Sequence, residues 1–320
     1  MNIKSFEQEL AKLKGKSGGF PRDINFSFSG DGKALRSELV GKFDKKDLRR
    51  FDPWTLACII EAKQNTGINI SSVVFAITKP KKPDALFALN FESLRRRLSF
   101  LSINNPDIKF ELELNNEKTV LDNKKTLFLR PANEIIRSKI SKRSEDNDPN
   151  LLEKSFQSFL YGKGLKEKTN DRLAIIGEDF YQMKAKAVGV LREFPTGVFN
   201  QKISDATRLL PTESVDIVTQ NKWGNLAIVE LKIDNSELEV ISQILDYGLY
   251  FTCYRNQIME VQDIKDTFDV KQIKNADIFC YVANNRFHPR FVGIISFYSI
   301  KSKNYGFCLK KIILGETTEI

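Results

Sequence analysis

Apolar and polar positions alternate with two periods along this chain, and the changes between them mark its elements. FDPWTLACIIEAKQNTG (51–67) predicts a helix starting near Pro53, with Asp52 as its cap. ISSVVFAIT (70–78) predicts a strand, DALFALN (84–90) a short strand and FESLRRRLSFL (91–101) a helix. FELELNN (110–116) alternates and reads as a strand, and TLFLRP (126–131) as a further candidate strand. In DPNLLEKSFQSFLYG (148–162), Asp148 caps a helix with Pro149 in its first turn. Leu152, Phe156, Phe159 and Leu160 form an apolar stripe there, and Glu153 lies beside it. LAIIGEDF (173–180) fits either a core strand or an insertion.

The hairpin signal comes next. SVDIVTQ (214–220) and LAIVELKID (226–234) are strand patterns, joined by the turn residues NKWGN (221–225). NSELEVISQILDYGLYF (235–251) predicts a helix opened by a capping box of Ser236 and Glu239. ADIFCYVANN (276–285), FVGIISFYSI (291–300) and GFCLKKIIL (306–314) predict three closing strands.

Length and composition place these elements in two domains. The chain has 320 residues, about twice a typical domain. The most polar stretch, SKRSEDNDPN (141–150), sets the expected boundary, giving domains 1–147 and 148–320. Charge divides the same way. Residues 1–147 carry 28 Lys and Arg against 19 Asp and Glu, a net of +9, and the remainder carries 22 against 22. A basic module beside a neutral one suits a polyanion partner for the first half; a lysine-rich solubilising surface is the plainer alternative.

Two basic clusters stand out in that half. ITKPKKPD places Lys79, Lys81 and Lys82 in a proline-punctuated loop. Arg95, Arg96 and Arg97 occupy consecutive helical positions and fan over roughly 200°. Both suit phosphate contacts, although charge runs are more often only solvated.

Scarcity excludes several chemistries. His288 is the one histidine, which rules out multi-histidine metal sites and leaves a Ser/His/Asp triad little to work with. Cys58, Cys253, Cys280 and Cys308 are widely spaced and suggest neither zinc nor a disulfide framework. No apolar run approaches the roughly 20 residues of a membrane span, and MNIKSFEQEL is not a signal peptide; a cytoplasmic protein without a membrane partner is expected.

The remaining chemistry lies in the hairpin. Alternation puts Leu226, Ile228, Glu230 and Lys232 on one strand face and Ala227, Val229, Leu231 and Ile233 on the other. A short hairpin brings Asp216 close to Glu230. Two carboxylates on adjacent strands make a hard oxygen site suited to Mg²⁺ or Mn²⁺, which would offset the cost of burying them. Lys232 points into the same site, where it can hold water or stabilise charge on a phosphate. Gln243 and Tyr247 share a helical face and can orient substrate or water.

Asp216, then Glu230-Leu231-Lys232, then Gln243-x-x-x-Tyr247, resembles the PD-(D/E)XK nuclease superfamily, with the Gln-x-x-x-Tyr element of its RecB-like branch. Within it, SVDIVTQNKWGNLAIVELK and VISQILDY are most similar to the DUF4263 (Shedu-type) and NucS-like DUF91 nuclease domains. The resemblance covers roughly residues 150 to 283. It departs from the pattern in having Val215, not proline, before the first aspartate.

The resemblance implies an α/β, restriction-endonuclease-like core with a mixed four-stranded sheet flanked by helices. Asp216, Glu230 and the helical Glu153 would be metal ligands, Lys232 the catalytic lysine, and Gln243 and Tyr247 supporting residues. Lys202 and Arg208, just before the Asp216 strand, are candidate phosphate contacts. The expected function is Mg²⁺- or Mn²⁺-dependent endonuclease action, on DNA before RNA, in phage defence, restriction or repair. The alternative is a nucleic-acid-binding or sensor protein with a gated or inactive nuclease fold. A homodimer or higher homo-oligomer is expected, because one core cuts one strand and the late apolar segments offer an interface.

Overall fold

The computed structural model describes residues 1–16, 19–40, 43, 45–78, 86–121, 134–137, 151–161, 171–181, 189–298 and 306–314. The Lys79, Lys81 and Lys82 cluster, TLFLRP and the 141–150 stretch with its Asp148 cap lie outside them. The chain is mixed α/β and divides into two compact units, residues 1–129 with 289–301, and residues 130–288 with 302–320.

In the first unit α1 (Ile3–Leu13) buries Ile3, Phe6 and Leu10, one side of a helix, and Asn2 caps it by accepting from the Ser5 N–H. β1 (Ile24–Phe28) and β2 (Ala34–Leu39) form a hairpin; α2 (Lys45–Thr66), β3 (Ser72–Ile77), α3 (Phe87–Asn104), β4 (Lys109–Leu114) and β5 (Glu117–Thr119) follow. The sheet order is β1-β2-β3-β4-β5, with β2, β3 and β4 parallel and both outer pairs antiparallel.

Three expectations change here. Helix α2 begins at Lys45, and Pro53 lies inside it. Asp52 is therefore no cap; in the first turn of the helix Asp47 accepts from the Phe43 N–H at 2.7 Å. The described part of DALFALN is helical from Phe87, because Phe87, Asn90, Leu94, Leu98 and Leu101 share one helical face. The described part of FVGIISFYSI, residues 291–298, is not a strand either. Phe291–Tyr298 is a helix burying Phe291, Ile294 and Tyr298, and it belongs to the first unit. Its apolar residues hide a spacing of three and four within a near-continuous run.

The same helix supplies part of a buried polar centre. Arg97 donates through Nε and Nη2 to both Asp52 oxygens at 3.0 Å, and through Nη2 to the Leu48 carbonyl at 2.9 Å. Tyr298 donates its hydroxyl to Asp52 at 2.8 Å. Arg97 is 1% exposed and Asp52 is fully buried. A charge pair so removed from water needs this many partners to be tolerated.

In the second unit β6 (Glu134–Ile136), β8 (Val198–Asn200) and β9 (Arg208–Leu210) make a small sheet. The main sheet has the order β13-β12-β11-β10-β7, from β7 (Leu191–Pro195), β10 (Ser214–Gln220), β11 (Leu226–Lys232), β12 (Ile278–Asn284) and β13 (Cys308–Ile313). β7, β10 and β11 run antiparallel; β11, β12 and β13 run parallel. The sheet is thus mixed, with five strands where four were expected. LAIIGEDF forms two 3₁₀ turns.

One sheet face carries Ala227, Val229, Leu231, Tyr281 and Ala283, packed with Leu160 and Phe156 of α4 (Leu151–Tyr161) and with Leu173, Ile176 and Phe180 of the 3₁₀ turns. Helix α5 (Glu239–Cys253) lies against β12 and β11. Gly248 lets it pack tightly, since a Cβ there would meet the Phe307 ring at 2.6 Å. The Ser236–Glu239 capping box does not form: Leu238 holds the cap position, and Asn235 accepts from Glu237 N–H in a turn before it.

Candidate active site

Strand β11 is the centre of the main sheet, so its side chains are buried on both faces up to Leu231. The β10–β11 register pairs Ile217 with Val229, and one step further sets Asp216 opposite Glu230 on a shared face. There the Asp216 side chain takes over from the ladder: Oδ2 accepts from the Leu231 N–H at 2.8 Å. Glu230 is 1% exposed. Lys232 extends along the same face and donates to Glu230 Oε1 at 2.7 Å, to the Leu231 carbonyl at 3.0 Å and to Glu153 Oε1 at 3.3 Å. Asp216, Glu230, Lys232 and Glu153, drawn from two strands and a helix, therefore meet at one end of β11.

Their charges are strongly coupled. Burial, then the facing Glu230 carboxylate, pushes the Asp216 carboxyl well above the usual carboxylate range. Burial would lower Lys232, but Glu230, Asp216 and Glu153 outweigh it and hold the ammonium above its ordinary value. The linkage sign follows. An acid raised in the folded state binds its proton more tightly there, so stability falls as pH rises from the unfolded carboxylate range through the raised value. Asp216→Asn keeps an oxygen for the Leu231 N–H and removes the charge. Without divalent metal at neutral pH, this variant is expected to melt above the parent chain; a lower Tm in EDTA would contradict this account of the site.

The fit to a divalent ion rests on this donor set. Asp216 and Glu230 offer hard carboxylate oxygens whose mutual repulsion a dication would relieve. Glu153 is committed to Lys232. Among the described residues no group of three or more His, Cys, Asp or Glu side chains is arranged to hold an ion. Asp216 and Glu230 are thus the pair that fits, with Glu153 joining only if Lys232 releases it.

Gln157 was not found by sequence reasoning. It is 5% exposed, and its Nε2 donates to the Asp216 carbonyl at 2.7 Å. It stands four residues after Glu153, one turn along the same face of α4, so one contact fixes the helix that carries Glu153 to the strand that carries Asp216. That spacing was the available signal. Asn284, aligned with Lys232 in the parallel register, was also missed. Its amide donates to the Asn235 carbonyl and secures the chain as it leaves β11. Gln157→Leu keeps the buried volume and removes the tether, and is expected to weaken any Mn²⁺ binding at Asp216 and Glu230 about 10–100-fold. Parental Mn²⁺ affinity in that variant, measured by calorimetry, would show the contact to be packing alone.

Gln243 and Tyr247 meet as their spacing predicted, but they serve the strand. Gln243 Nε2 donates to the Tyr247 hydroxyl at 2.9 Å, which donates to the Ser214 carbonyl at 2.9 Å. Tyr247 is 1% exposed, so it positions β10 two residues before Asp216 and offers no surface to a substrate.

The predicted phosphate contacts fare unevenly. Arg97 is corrected: it is buried against Asp52 and faces no solvent. Arg95 and Arg96 are partly exposed and share Glu92, at 2.8 and 3.1 Å. Burial opposes ionisation of Glu92, yet these two guanidiniums hold its carboxyl below the usual range. Lys202 is exposed in the turn after β8, and Arg208 pairs with Asp205 within its own turn. Among the described residues no helix is long and apolar enough to cross a membrane.

Compared with known proteins, the chain matches no family model, no curated protein and no solved structure.

Proposed function

We propose that this chain is a divalent-metal-dependent nuclease that hydrolyses phosphodiester bonds in DNA. The observation that carries the reading is Asp216 opposite Glu230 on an antiparallel hairpin, with Lys232 beside them and Glu153 reaching in from α4. The mixed main sheet with α4 and α5 packed on it also supports the reading, since the motif resemblance implies a mixed sheet flanked by helices.

Asp216 and Glu230 would hold the ion. When bound, Mg²⁺ or Mn²⁺ supplies Lewis-acid chemistry, lowering the pKa of water and neutralising phosphate charge. Lys232 contributes as a cation. Its surroundings hold it protonated, so it donates hydrogen bonds to developing negative charge and does not serve as the base. Gln157 and Tyr247 keep Asp216 in place, each through a carbonyl of β10 or its start.

One observation favours a gated version of this reading. The Lys232 ammonium already bridges Glu230 and Glu153, so an ion must compete with it or displace it. Incubation with supercoiled, linear and single-stranded DNA and with RNA, in Mg²⁺, Mn²⁺ or EDTA, tests the proposal. Metal-dependent cleavage of DNA supports it, and intact substrates under every condition count against it. A homodimer remains the simplest route to a double-strand break. The segment 291–298 no longer argues for one, because it is a helix that packs within the first unit.

A further inference from the structure

The β10–β11 turn holds an exposed tryptophan that the hairpin does not need. Asn221, 3% exposed, accepts from the Trp223 and Asn225 N–H groups at 3.1 Å, and its amide donates to the Tyr281 hydroxyl at 3.2 Å. Gly224 takes a positive φ of 79°, and Gln220 donates to its carbonyl at 3.1 Å. These contacts close the turn whatever side chain follows Lys222. Trp223 is nevertheless 55% exposed.

Its ring has aromatic and cationic neighbours. Trp223 lies 6.3 Å from Phe279, which stacks at 6.2 Å on Tyr281, which meets Phe180 at 5.0 Å; the row runs from the core outward and ends at Trp223. Lys310 is pinned by Asp179 at 2.6 Å, with its ammonium 5.0 Å from the Phe279 ring and 5.1 Å from the Trp223 ring. The exposed Lys222 sets its ammonium 4.8 Å from the Trp223 ring and makes no ion pair among the described residues. A half-exposed indole beside a cation with no ion pair among the described residues complements a ligand with both a flat ring and an anion.

We infer that Trp223 and Lys222 form an accessory site for single-stranded nucleic acid, with a base stacked on the indole and its phosphate on the ammonium. In a duplex interior the base faces are already stacked, so an unpaired strand is the form that can use the ring. The turn that holds Trp223 precedes Leu226, and Glu230 lies four residues further, roughly 13 Å along the extended strand. Trp223 packs with Phe279, in register with Ala227, on the sheet face opposite Glu230. The site therefore holds a flank of the substrate and not the bond cut. The class of partner rests on the nuclease reading above, so binding is measured without metal and the two can fail separately.

The chain has two tryptophans, Trp54 and Trp223, so the full-length Trp54→Phe variant reports on Trp223 alone. In EDTA, an oligothymidylate is expected to quench its fluorescence saturably. In the parent background, with Trp54 retained, Trp223→Ala should weaken binding of the labelled oligomer about tenfold. Lys222→Ala should reduce the log–log salt slope by about 0.7. Emission unmoved by saturating oligomer, or parental affinity in Trp223→Ala, would overturn the proposal and leave the ring as a contact for another protein. Quenching without any nuclease activity would uphold this site and remove the catalytic reading instead.

Discussion

Lys232→Met is expected to abolish DNA cleavage, with a loss of at least about 10²–10³-fold, while DNA binding in EDTA stays near the parental value. The side chain keeps much of its length and loses only the charge that Glu230, Asp216 and Glu153 surround. Removing the ammonium also removes the competitor for Glu230, to which it donates at 2.7 Å. Mn²⁺ binding measured by calorimetry should therefore be no weaker than in the parent. Parental cleavage rates in Lys232→Met would remove the lysine from the mechanism. A loss of cleavage together with a loss of Mn²⁺ binding would instead mean that the site had collapsed.

The second large effect concerns stability. Arg97→Met leaves Asp52 buried with the Tyr298 hydroxyl but without its bidentate partner. Breaking a buried pair on one side costs about 3–5 kcal/mol, which for a unit of this size lowers Tm by about 10 °C or more. Removing both charges should cost less than removing one. Asp52→Leu/Arg97→Met is thus expected to recover much of the loss, and thermal melts of the four species measure the coupling. A single variant within about 1 °C of the parent would show that Asp52 finds water or another donor.

Legibility in the sequence followed locality. The hairpin could be read because both strands alternate, the turn between them is rich in Asn and Gly, and register follows from a short connection. Asp216, Glu230 and Lys232 accordingly meet as their spacing implied. Glu153 joins them through a helix whose approach the apolar stripe only suggested.

The misreadings came from partners far along the chain. Asp52-Pro53 resembles a helix start, and three successive arginines resemble a solvated face. Arg97 and Asp52 are 45 residues apart, and Tyr298 lies 246 residues beyond Asp52; no local pattern joins them. FVGIISFYSI (291–300) reads as a strand for the same reason, since only packing decides between a buried strand and a short buried helix. Pro53 lies within α2 despite the missing N–H, and the buried Asp52 contacts hold that part of the helix in place.

The central claim is that Asp216 and Glu230 serve metal-dependent phosphodiester hydrolysis. Its most direct test is one plasmid assay on matched preparations of the parent chain and Glu230→Gln, each with Mn²⁺ and with EDTA. The parent should convert supercoiled DNA to nicked or linear product in Mn²⁺ only, and Glu230→Gln should leave it supercoiled throughout. Equal cleavage by both proteins, or cleavage by the parent that persists in EDTA, would contradict the claim.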